Sequence, residues 1–97
     1  MTYETFLKSV SENRVPGAEL SEPLQALWYA AKGEWERSHD IAQEIHTPDG
    51  SWIHAHLHRQ EGDLGNAGYW YNRARQSTCT DALDTERETL IRYFLDK

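Results

Sequence analysis

The stretch Trp52–Tyr71 limits what this chain can fold into more than any other part of it. Three histidines (His54, His56, His58), two acids (Glu61, Asp63) and four large aromatics (Trp52, Tyr69, Trp70, Tyr71) surround a single Gly62-Asp63 break. The break predicts a helical hairpin. Gly62 supplies a left-handed stop for the helix that carries the histidines to Glu61, and Asp63 caps a following helix that includes Ala67, Trp70, Tyr71 and Ala74. Gly65 and Gly68 fall inside that second helix, each at a cost of about 1 kcal/mol against Ala. Close packing of the two rods is the expected compensation.

The rest of the chain also carries helical periodicity and no β-alternation. Tyr3, Phe6, Leu7 and Val10 form a stripe over Thr2 to about Asn13, closed by Val15-Pro16-Gly17. Ser21 and Pro23 open a second helix with Leu24, Leu27, Trp28 and Ala31 inward, stopped at Gly33. A third runs from about Glu34 to Ile45, with Trp35, Ser38, Ile41, Ala42 and Ile45 on one side. Thr47-Pro48 opens the histidine helix, and the last spans roughly Asp81 to Leu95 on Leu83, Leu90, Ile91, Phe94 and Leu95. Short links imply antiparallel neighbours. The expectation is an all-α domain over 1–97 with five or six helices. It divides into an N-terminal helix and loop (1–20), a first hairpin (21–46), a second hairpin (47–77) and a C-terminal helix (78–97), the outer helices covering the hairpins.

Ninety-seven residues allow one small core. The net charge of -6, with basic residues scattered, excludes nucleic acid and disfavours an anionic membrane surface. Cys79 stands alone, so no internal disulfide forms, which suits a reducing compartment. It reads as a buried or half-buried thiol rather than a nucleophile. The start Met1-Thr2-Tyr3-Glu4 lacks a signal-peptide pattern and no apolar stretch approaches membrane-spanning length, so the expected location is the cytoplasm.

The two hairpins echo each other. Gly33-Glu34-Trp35 superposes on Gly62-Asp63-Leu64 at an offset of twenty-nine residues, with Ser38 on Ala67, Ala42 on Tyr71, Ala26 on Ala55 and Tyr29 on His58. In this the chain resembles the tetratricopeptide repeat, whose second helix follows a Gly-acid turn and places small, aromatic and small residues at the spacing of Ala67, Tyr71 and Ala74. The offset is shorter than that family's 34 residues, and its first-helix Trp and Leu positions fall on Ser51 and His54. The block LHRQEGDLGNAGYWYNRA, Leu57 to Ala74, is similar to a group of small bacterial helical proteins without an assigned activity. The tetratricopeptide resemblance implies hairpin geometry and a protein or peptide partner.

His54, His58 and Glu61, at i, i+4 and i+7, share one narrow helical arc, and His56 points away from it. Two His at this spacing with a carboxylate can hold a divalent metal, although Ala55 stands where a zincin has its general-base Glu. The alternatives are a structural polar cluster, in which the imidazoles find Tyr71, Glu61, Asp63 or Asn66, and a ligand or peptide pocket. The candidate groove or cluster is His54, His58, Glu61, Asn66, Tyr69, Tyr71 and Arg73. His39 and His46 read as solvent-facing residues near a helix end, with membership of the same site as the alternative. Arg59 is expected to pair with Glu61 or Asp63 at the turn, and the acids Asp81, Asp84, Glu86 and Glu88 to form a solvated face. No phosphate loop, Ser-His-Asp order or Cys-His motif is present, so the chain names no catalytic residues, and no organic cofactor is expected. The expected function is a non-catalytic binding module, monomeric or homodimeric. Its alternatives are a metal-binding protein or metal-dependent enzyme using His54, His58 and Glu61, and a self-associating structural protein.

Overall fold

A computed structural model describes residues 1–97 as six α-helices and no strand. They are α1 (Tyr3–Glu12), α2 (Glu22–Lys32), α3 (Trp35–Gln43), α4 (Pro48–Gln60), α5 (Leu64–Ala74) and α6 (Leu83–Leu95). The boundaries follow local chemistry. Thr2 caps α1 by accepting from the Thr5 amide, and Asp63 caps α5 by accepting from the Asn66 amide. Ser21 and Thr47 hold the N-cap positions of α2 and α4 without a side-chain capping bond; Pro in the first turn of each helix has no N–H to satisfy.

The two Gly-acid turns are built alike. Gly33 and Gly62 both take the left-handed conformation, with φ of 87° and 85°. Glu34 N–H donates to Tyr29 O and Asp63 N–H to His58 O, each at 2.9 Å. Gly33 N–H reaches Ala30 O, and Gly62 N–H reaches Arg59 O. Every partner in the second turn lies twenty-nine residues after its counterpart in the first.

Consecutive helices pack against each other from α1 to α5, and α6 lies across α1, α2 and α4. One core joins five helices: Phe6 and Val10 from α1, Leu24, Leu27 and Trp28 from α2, Ala42 from α3, Ile53 and Leu57 from α4, and Leu90, Ile91 and Phe94 from α6. A separate small cluster of Ala55, Ala67 and Tyr71 joins α4 to α5, whose backbone approaches no other helix. Polar ties reinforce the seams. Lys32 Nζ donates to the Val10 and Asn13 carbonyls at the end of α1, Ser38 Oγ to Ala26 O, and Trp35 Nε1 to Leu57 O.

The glycines behave differently from expectation. A Cβ on Gly68 would meet nothing within 4 Å and one on Gly65 only Asp63 Oδ1 at 4.0 Å, so close packing does not explain either residue. The close approach is at Gly50, where a Cβ would run into the Ile45 carbonyl oxygen. That contact lets α4 fold back tightly on the end of α3. No helix is long and apolar enough to cross a membrane.

Candidate functional site

Helix α4 is the centre of the molecule. Every residue from Gly50 to His58 except Trp52 is buried, so its three histidines must find partners within the protein. A helix turns about 100° per residue, which sends His54 and His58 to one side and His56 to the other. The two sides resolve the same side chain in opposite ways.

On the α3 and α5 side, three imidazoles meet. His54 Nε2 lies 2.7 Å from His39 Nε2. His58 stacks on His54 with ring centres 5.1 Å apart and meets His39 edge-on at 5.7 Å. One ring nitrogen from each of the three lies within 4.8 Å of the others. Two tryptophans close the stack: Trp35 lies parallel to His39 at 4.8 Å and Trp70 parallel to His54 at 4.0 Å. Burial, aided by the neighbouring His39 and His58, lowers the His54 pKa to about 4. Burial and His58 lower His39 as well. Both rings are therefore neutral at pH 7. His58 Nδ1 faces Glu61 Oε1 at 2.8 Å, and the carboxylate can only accept there, so that nitrogen carries a hydrogen.

On the α6 side, His56 enters a closed ionic network. His56 Nδ1 and Arg59 Nη1 reach Glu86 Oε1 at 2.7 and 2.8 Å, and the Tyr71 hydroxyl donates to Glu86 Oε2. Arg59 also donates to the Asp81 carbonyl. Burial pushes the Glu86 carboxyl up, but hydrogen bonds from His56, Tyr71 and Arg59 outweigh it and hold the pKa at about 2. Burial and the adjacent Glu86 carboxylate raise the Tyr71 phenol. His56 Nε2 is buried without a partner.

These facts revise several sequence expectations. His39 is not solvent-facing; it completes the trio with His54 and His58, whereas His46 stays exposed. Tyr71 turns away from the trio to Glu86, and the aromatic that meets His54 is Trp70. Arg59 pairs with Glu86, not with Glu61 or Asp63, and Glu86 is 3% exposed rather than part of a solvated face. Asn66 is exposed and bonds only Asp63, outside the cluster. Glu61 stands behind His58, and a second grouping of His58, Glu61 and Asp63 lies at the surface.

Beside the trio opens a pocket of about 300 Å³, lined in part by Thr47, Ser51, His54, Trp70 and Arg73. Tyr69 is 54% exposed, and Arg73 lies over both Tyr69 and Trp70, with Nη1 donating to the Tyr69 hydroxyl at 3.2 Å. No carboxylate pairs with Arg73.

Signals for the missed residues exist in the chain. His39 follows Trp35 by four residues and so shares its inward face. Glu86 occupies the helical slot between Leu83 and Leu90, within the apolar stripe of α6. Comparison of the chain with family models, with curated proteins and with solved structures finds no match.

Proposed function

We propose that the protein is a small non-catalytic binding module whose working surface is the outer face of α5 and the pocket beside it. The observation that carries this reading is Arg73. It sits on two aromatic rings at the rim of a pocket of about 300 Å³ and has no carboxylate of its own. Tyr and Arg together, half in water, make the kind of surface that dominates protein contacts. The pocket is at the lower end of the size range for small-molecule sites, and suits one side chain of a partner. The occupant is a protein or peptide segment that offers a carboxylate to Arg73 and an apolar side chain to Tyr69 and Trp70.

The duplicated Gly turns and the tetratricopeptide-like spacing of Ala67, Tyr71 and Ala74 support partner binding. The surface lies on α5 because α6 packs across α2 and α4. Two further features favour binding over catalysis. Burial raises the Cys79 thiol, which works against a thiolate nucleophile. The buried Glu86 carboxylate is fully occupied by three donors.

The test is selection from a displayed peptide library. Enriched peptides should share an acidic residue next to an apolar one, and should bind Arg73→Ala or Tyr69→Ala at least about tenfold more weakly. Absence of enrichment, or equal binding to Arg73→Ala, contradicts the reading.

A further inference from the structure

We infer that His39, His54 and His58 form a binding site for one divalent transition-metal ion, with Glu61 orienting His58 and the fourth position left to water or an external ligand. The site shares His54 and Trp70 with the pocket described above, but its test does not depend on partner binding.

Three features of the trio support it. First, the donor set is right: three imidazoles from two helices, one ring nitrogen of each within 4.8 Å of the others, suit zinc, cobalt, nickel or copper rather than calcium or magnesium. Second, two of the three rings have no hydrogen-bond partner outside the trio. No carboxylate or carbonyl reaches His39 or His54; their only hydrogen bond is to each other. The contrast is His56, which has Glu86. Third, the rings are already held. Trp35 fixes the plane of His39, Trp70 that of His54, and Glu61 fixes the tautomer of His58, as an outer-shell carboxylate does in known metal sites.

The geometry is within reach of coordination. Tetrahedral bonding at about 2.0–2.1 Å wants nitrogens roughly 3.3 Å apart. His39 and His54, now at 2.7 Å, open by about half an ångström, and any pair at the 4.8 Å limit closes by about 1.5 Å. Sliding of His39 and His54 within the planes their tryptophans set, with a turn of His58, would supply both. The hydrogen shared by the two Nε2 atoms must leave that edge. It shifts through solvent to Nδ1 of the same ring, so both rings stay neutral and both Nε2 lone pairs face the ion. The Trp faces lie against rings that become more positive on coordination, which their π-electrons favour.

The test uses the untagged chain, stripped of metal and titrated with Co²⁺ and then Zn²⁺. Co²⁺ should give visible ligand-field bands of a low-coordinate nitrogen site at one ion per chain, bleached by one equivalent of Zn²⁺. His39→Gln should weaken binding by more than about a hundredfold, and Glu61→Gln by about tenfold. His46→Gln and Asp63→Asn should leave it unchanged. His54 is buried and its replacement threatens folding, so half-buried His39 is the deciding variant, with its helicity checked by circular dichroism. Lack of bands, a stoichiometry other than one, or unaltered binding by His39→Gln overturns the inference. Loss of binding in Asp63→Asn with retention in His39→Gln places the ion on His58, Glu61 and Asp63 instead, and also overturns it.

Discussion

The two sides of α4 set the same residue type in two different electrostatic settings. On one side His56 meets a buried carboxylate that also takes Arg59 and Tyr71, and donor and acceptor charges balance. On the other, His39, His54 and His58 meet aromatic faces and one another. The first arrangement is a brace: it ties α4, α5 and α6 through a single carboxylate, and it is the link from α5 to α6. The second stacks the rings on one another and on two tryptophans, and its one carboxylate, Glu61, meets His58 alone. The lesson is that a buried histidine is braced, or left to other rings, according to whether a neighbouring helix brings it an acid.

The largest effect should come from removing that acid. Glu86→Ala leaves Arg59, His56 and Tyr71 without their common partner, and urea denaturation should show a loss of about 3–5 kcal/mol. An equal loss from His39→Gln would erase the distinction between the two sides. Tyr71→Phe removes one bond to a charged acceptor and should cost about 1.5–3 kcal/mol. It also cuts the tie between α5 and α6, so amide exchange in α5 should accelerate more than in α2.

Acid should loosen the brace in a defined window. Glu86 titrates at about 2 when folded against 4.5 in the unfolded chain. Below pH 4.5 the unfolded chain takes up a proton that the folded chain refuses. The stability present above pH 4.5 therefore falls as the pH drops towards 2. Glu86→Gln should flatten this part of the stability–pH curve; an unchanged slope would remove Glu86 from the account.

The histidine side should respond less in the metal-free protein. His39→Gln removes one imidazole contact and should change stability by about 0.5–1.5 kcal/mol. Zinc at a hundred times its Kd should then stabilise the parent by about 2.7 kcal/mol and the variant hardly at all. The smallest effect is a gain. Gly68 has open space around its Cβ position, so Gly68→Ala should stabilise by about 0.5–1 kcal/mol in the same denaturation assay. A loss there would mean that backbone closeness, not ring stacking, holds α5.

The helices were legible in the chain because their stops and caps are local. Gly33, Gly62, Asp63 and Pro48 act within a few residues, and each marks the boundary it was expected to mark. The doubling back at Gly62 follows from the Gly-Asp break, and the pairing of His54 with His58 on one arc from period. What period could not supply was the occupant of the facing slot. His39 comes from α3 and Glu86 from α6, fifteen and thirty residues from the histidines they meet. A polar residue in an apolar stripe was the available sign for Glu86, but the charge of Asp84 and Glu88 around it made the whole run look solvated. Gly65 and Gly68 misled in the opposite way, since their helix position has no structural demand for glycine.

Anomalous diffraction from a crystal grown with zinc tests the difference between the two sides of α4 most directly. The strongest peak should lie at bonding distance, about 2.0–2.1 Å, from one ring nitrogen each of His39, His54 and His58, with none at His56. A peak on His56, a peak on His58, Glu61 and Asp63, or no peak at any histidine of α4 contradicts it.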